Sequence, residues 1–123
     1  MYLNQPVRAS GILPYYLFNN QKIYLFRIVD GNRATDIGGC TDSVDKNYID
    51  TACREASEET NGHFFDENDT LQQCQEKFLN LLQNNNYEVK YDKRGKYLLF
   101  EIEVAMKYFR NMKRFGKLET TDK

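Results

Sequence analysis

Glu55, Glu58 and Glu59 place three carboxylates within five residues. The spacings are i,i+3 and i,i+4, so on a helix they share one face. Like charges at that spacing repel, and a bare helix carrying them is destabilised. A positive group offsets the repulsion, and a hard divalent cation with a preference for oxygen ligands is suited to the task. The remaining positions of the segment constrain the fold further. Ile49, Ala52, Cys53 and Ala56 recur at helical spacing, and most of them are small, so this side of the helix can lie close against a sheet. The pattern predicts a helix that begins near Asp45 to Asn47 and ends at Asn61 or Gly62, either of which can take the left-handed cap conformation. A glycine pair, Gly38-Gly39, leads into it, followed by a loop over residues 40 to 46.

The flanking chain reads as strands and helices in alternation. Val7 to Phe18 is one strand with a bend at Pro14, Asn19-Asn20-Gln21 a turn, and Lys22 to Val29 the second arm of a hairpin. Asp30-Gly31-Asn32 is a turn signal, and Ala34 to Ile37 a short strand running into the glycine pair. Asn68 or Asp69 is the expected cap of a second helix that runs to about Gln83. Its buried stripe is Leu71, Cys74, Phe78, Leu81 and Leu82. Tyr87, Val89 and Tyr91 alternate with polar residues as in a half-buried strand, and Tyr97 to Val104 is its hairpin partner. Met106, Phe109, Met112 and Phe115 suggest a final helix ended by Gly116. Strands mixed with helices predict an α/β fold with a mixed sheet.

Length and charge bound the function. A chain of 123 residues is read as one domain spanning residues 1–123. A net charge of −1 argues against a dedicated nucleic-acid binder, which carries a basic excess or stripe. The three cysteines, Cys40, Cys53 and Cys74, are odd in number and lack metal-ligand spacing, so they read as reduced thiols and the expected setting is cytoplasmic. No apolar run approaches the about 20 residues that span a bilayer, so no membrane partner is expected.

From Gly39 to Gly62 the chain resembles the Nudix hydrolase family. The family motif is Gly, five residues, Glu, seven residues, then Arg-Glu-(apolar)-x-Glu-Glu-x-Gly-(apolar). Gly39 matches its first glycine, and Arg54, Glu55, Ala56, Ser57, Glu58 and Glu59 match the central hexad. Three departures stand out. Asp45 replaces the early Glu, eight residues rather than seven separate it from Arg54, and Asn61 is inserted before Gly62, which polar His63 follows. The resemblance implies an α/β/α sandwich with a mixed sheet. It also implies a further strand and a closing helix after the last predicted helix, so the fold is either abbreviated at its C-terminus or lacks that part.

The same resemblance implies hydrolysis of a diphosphate linkage in a nucleoside diphosphate derivative, with Mg²⁺ or Mn²⁺ as cofactor. Glu58 and Glu59 are the implied metal ligands, Glu55 the next candidate, either as a third ligand or through a bound water, and the Gly38 backbone carbonyl a further ligand. Arg54 is the arginine that holds a glutamate in position, for which its forked guanidinium is suited. Glu55, Glu58 and Arg54 thus form the expected catalytic set. Gly39 and Arg27, a basic residue in mid-strand, are the expected substrate contacts, although Arg27 fits the outer face of a sheet equally well. The general base stays open among Glu55, Glu101, Glu103 and Glu119. Asp45 is either the structural stand-in for the family glutamate or a helix cap. Arg8 is a weaker phosphate contact, lone His63 makes neither triad nor zinc site, and Tyr15, Tyr16 and Phe18 are stacking candidates for which core packing is the default.

The expected partner is a nucleotide-type small molecule, and a homodimer is left open. Capped RNA is the alternative substrate, kept by the cluster Lys107, Arg110, Lys113, Arg114 and Lys117, for which a solvated helix face is the simpler reading. A non-catalytic nucleotide-binding module of the same fold is the third reading, motivated by the altered spacing.

Overall fold

The computed structural model describes residues 7–29, 33–35, 37–41, 47–109 and 119–122. Among the described residues the chain is α/β, with a mixed sheet and two helices. The first hairpin joins β1 (Ala9–Phe18) to β2 (Gln21–Val29) through Asn19 and Asn20, with φ of 52° and 64°. Two consecutive left-handed residues make the tight turn whose twist matches paired strands, and asparagine tolerates that conformation. Two short strands follow, β3 (Arg33–Thr35) and β4 (Ile37–Cys40), then helix α1 (Tyr48–Glu59), helix α2 (Leu71–Asn84), the hairpin β5 (Tyr87–Asp92) and β6 (Tyr97–Glu103), and β7 (Glu119–Asp122). Among the described residues the strands run in the order β3-β2-β1-β6-β5, with β4 paired to β1 and β7 to β2. The β1–β6 pair is parallel and the others antiparallel.

Register fixes which side chains share a face. Phe100 and Ile102 lie opposite Ile12 and Pro14, and Tyr16 lies opposite Ile23. This face meets both helices. Ile12, Leu25, Ile37, Leu98, Phe100 and Ile102 form one buried cluster with Ala52, Cys53 and Ala56 of α1 and Cys74, Phe78 and Leu82 of α2. Phe64, fully buried in the connection, stacks on Phe78 with ring centroids 5.1 Å apart.

Helix starts follow local chemistry. Asn47 caps α1 by accepting from the Asp50 N–H at 2.9 Å. Thr70, rather than Asn68 or Asp69, caps α2 in a reciprocal box with Gln73; Asp69 instead pairs with Lys77 at 2.8 Å. Helix α1 ends at Thr60, and both Asn61 (φ 54°) and Gly62 (φ 77°) are left-handed. Leu71, expected in the buried stripe of α2, is the first residue of the helix and half exposed (50%). A single 3₁₀ turn occupies 106–109, with Phe109 buried against Tyr16; the expected helix beyond it lies outside the described residues. No described helix is long and apolar enough to cross a membrane.

The sheet's other face carries Leu13, Tyr15, Lys22, Tyr24, Lys90 and Glu101. Glu101 is 2% exposed yet ionic: it accepts from Lys22 Nζ at 2.8 Å, Tyr24 Oη at 3.0 Å and Lys90 Nζ at 3.3 Å. Burial alone would raise its pKa, but these three donors outweigh burial and hold it below the ordinary 4.5. A carboxylate lowered in the folded state stabilises the fold above its unfolded pKa, and the contribution disappears as pH falls through the folded value. Glu101→Gln should therefore cost about 1–3 kcal/mol at pH 7, with the difference from the parent closing below about pH 4. Urea unfolding at stepped pH measures this, and a pH-independent difference would contradict it.

Candidate functional site

The site forms where α1 meets β4. Strand β4 runs antiparallel to the start of β1, with Gly39 opposite Ser10 and Gly38 opposite Gly11. The glycine pair, expected to follow a short strand, is thus itself part of one. Ser10 Oγ donates to the Tyr48 carbonyl at 2.7 Å, which ties the first residue of α1 to β1. Thr51, also buried, donates back to the Asn47 carbonyl at 3.3 Å. Ala52, Cys53 and Ala56 then bring the helix axis close to the sheet, because none has a long side chain to hold it off.

The two glycines admit different neighbours on opposite faces. On the helix side, a methyl group on Gly39 would overlap the Glu55 carboxylate. On the other side, the Tyr97 hydroxyl lies over Gly38, and a methyl there would also come within 2.5 Å of the Gly11 Cα and 2.6 Å of the Ser10 carbonyl oxygen. Glu55 therefore lies down on β4 at Gly39, with its side chain 15% exposed.

Arg54 organises what surrounds Glu55. Its Nη1 lies 3.1 Å from Glu55 Oε2 and 3.1 Å from Glu58 Oε1, and its Nη2 donates to the Cys40 carbonyl at 2.9 Å. One guanidinium thus links two carboxylates of α1 to the end of β4. Its rigid fork suits this, since the donors point in fixed directions. Burial raises the Glu55 pKa, Arg54 opposes this, and the charges of Glu58 and Glu59 add to the rise. Glu58 is half exposed (49%) and Glu59 partly buried. A cation at this face would relieve both the burial penalty and the mutual repulsion, and the donors are the hard oxygens that Mg²⁺ prefers. Among the described residues, no three His, Cys, Asp or Glu side chains form a ready-made metal cage; Arg54 now sits between Glu55 and Glu58.

The other candidates are dispersed. Arg27 pairs through its backbone with Thr35 in the β2–β3 ladder, and its side chain lies outside the described part of the structure. Asp45 also lies outside the described residues. So do Arg110, Lys113, Arg114 and Lys117 of the basic cluster; Lys107 lies over the Tyr108 ring at 5.3 Å. Glu101 and Glu103 point to the sheet face opposite Glu55, by the register that pairs them with Leu13 and Tyr15, so neither reaches the acidic face of α1. Only the backbone of Glu119 is described, opposite Phe26 in β7. Arg8 is exposed, and its backbone bridges the Lys96 carbonyl and the Thr41 N–H. His63 is half-buried behind the cap of α1, its N–H donating to the Thr60 carbonyl at 2.9 Å. Tyr16 packs on Phe109, Tyr15 lies under Lys22 on the far face, and Phe18 is exposed at the hairpin.

Sequence reasoning missed the Cys40 carbonyl, which no side-chain pattern reports, and a groove between α1 and α2. Cys53 lines that groove, and burial pushes its thiol up to about 12, so it is an inert apolar group. No protein-family model, no curated protein and no solved structure matches the chain.

The glycine contacts separate structure from site. Gly38→Ala drives a methyl into paired backbone and should lower stability by about 1–3 kcal/mol. Gly39→Ala meets only the end of a flexible side chain, so it should change stability by less than about 1 kcal/mol while expelling Glu55 from β4. Denaturant unfolding of both variants gives the comparison, and equal destabilisation would contradict the placement of Glu55.

Proposed function

We propose that this chain is a Mg²⁺-dependent hydrolase of the Nudix type that cleaves the diphosphate linkage of a nucleoside diphosphate derivative. The observation that carries the reading is the arrangement of Arg54, Glu55 and Glu58 at the end of β4: two carboxylates gathered by one guanidinium, with one of them buried over a glycine. The resemblance of the hexad, Gly39 and Gly62 to the family motif supports it. The three-layer α/β/α form is part of the same proposal, as is assignment to the family.

Glu55, Glu58 and Glu59 would hold the ion, with the Gly38 carbonyl as a further donor. When bound, the ion supplies charge neutralisation at the diphosphate and acidifies a water. The chain's own groups have distinct tasks. Arg54 fixes the Glu55 and Glu58 carboxylates against the Cys40 carbonyl, so they need not reorganise when charge develops. Gly39 leaves room for the Glu55 carboxylate to lie on β4. Glu55 lies on the acidic face of α1, whereas Glu101 and Glu103 lie on the opposite face of the sheet, so of these candidates Glu55 is the one placed to take the proton of an attacking water when it meets the ion through that water rather than directly.

The test is a hydrolysis panel of nucleoside triphosphates, dinucleoside polyphosphates, nucleotide sugars and capped RNA, each with Mg²⁺ and Mn²⁺. Glu58→Gln and Glu59→Gln should each lower turnover by more than the about 10- to 100-fold typical of outer-shell groups, with unfolding transitions near the parent's. Full activity in both variants, or no metal-dependent cleavage of any substrate into its two phosphorylated products, would end the proposal.

A further inference from the structure

Helices α1 and α2 do not close completely against each other. Between them lies a groove of about 490 Å³, lined by Asp50, Cys53 and Arg54 from α1 and by Gln72, Gln75, Glu76 and Leu79 from α2. Its size falls within the range of small-molecule sites. Arg54 belongs to both this groove and the acidic site, so the two are contiguous. Apart from Arg54, the proposed hydrolytic chemistry uses none of the groove's residues.

The lining selects a ligand by its chemistry. Leu79, only partly buried, offers apolar surface to a flat group at the groove floor, beneath which Cys53 is fully buried. Two carboxylates, Asp50 and Glu76, repel phosphate and accept hydrogen bonds from N–H donors. Gln72 stands one helical turn before Glu76, on the same face of α2, so a carboxamide neighbours a carboxylate. Guanine presents two adjacent N–H donors, N1–H and N2–H₂, beside the O6 acceptor. A carboxylate accepts the two donors in parallel, and a carboxamide N–H supplies the bond to O6. The other bases lack two adjacent N–H donors of this kind.

We propose that the groove between α1 and α2 binds a guanine base, with the phosphates running past Arg54 toward Glu55 and Glu58. This rests on the nucleotide reading of the site and adds its base preference. Glu76 is the specificity-determining residue, accepting from N1–H and N2–H₂, and Gln72 donates to O6.

The experiment is a titration of the full chain with GMP, AMP, CMP and UMP, followed by backbone ¹H–¹⁵N shifts. None of these carries a phosphoanhydride, so binding is read apart from hydrolysis. GMP should bind most tightly and shift the amides of residues 50–54 and 72–79. Glu76→Gln should weaken GMP at least about fivefold, the lower end of the discrimination a good bidentate base contact supplies, while leaving UMP unchanged. Shifts confined to residues 54–59, equal affinity for the four nucleotides, or an unaltered GMP affinity in Glu76→Gln would each overturn the groove assignment and leave the hydrolase proposal standing. GMP-selective shifts on α2 without hydrolysis of any guanosine diphosphate derivative would uphold the groove and remove the hydrolase.

Discussion

The structure depends on how closely α1 approaches the β1–β4 pair. Ala52, Cys53 and Ala56 are buried with almost no exposed area, and they present little side chain to the sheet. Gly39 then presents none to the helix. The combination leaves one residue, Glu55, lying between helix and strand. A larger residue at 39 would leave no room for its carboxylate there. Packing density thus sets the position of a charged group, and interiors packed this tightly transmit such constraints without slack.

Two readings of the glycine pair need separating. Gly38 is accounted for by backbone proximity to Gly11 and Ser10 and by the Tyr97 hydroxyl. The absence of a side chain at 38 is thus a structural demand of two paired strands. Gly39 is accounted for by Glu55 alone. The pair that looks like one motif in the sequence is therefore two residues with unrelated reasons, on opposite faces of the sheet.

Local patterns were legible where neighbouring residues decide the outcome. The caps of α1, its small apolar face, the Asn19-Asn20 turn and the alternation along β5 each follow from side chains a few positions apart. The expected cap of α2 missed by one or two residues, because Asn68, Asp69 and Thr70 all suit the role and only Thr70 has a glutamine three residues on to complete the box. Long-range relations were not legible. Lys22 and Glu101 are 79 residues apart, and nothing local to either reports the pair. Strand β7 was unassigned because its Glu-Thr-Thr-Asp sequence has no apolar alternation; its pairing to β2 supplies what its composition does not. In the site, the acidic face of α1 and its arginine were readable, whereas the Cys40 carbonyl and the groove depend on how β4 and α2 dock.

The two buried carboxylates clarify where a cation has most effect. Glu101 and Glu55 both leave water, and burial pushes the pKa of each upward. Glu101 meets two ammonium groups and a phenol, and the result is a carboxylate held below its ordinary range. Glu55 has the Arg54 guanidinium, which it shares with Glu58, and faces the like charges of Glu58 and Glu59. Its pKa stays high. Adding a positive charge beside Glu101 would duplicate compensation already present, whereas the same charge beside Glu55 would offset a burial penalty that Arg54 does not cancel. The donors around Glu101 outweigh its burial and the guanidinium beside Glu55 does not, which is the physical reason to test the proposed metal-dependent chemistry at Glu55 and α1 rather than at the more deeply buried glutamate of β6.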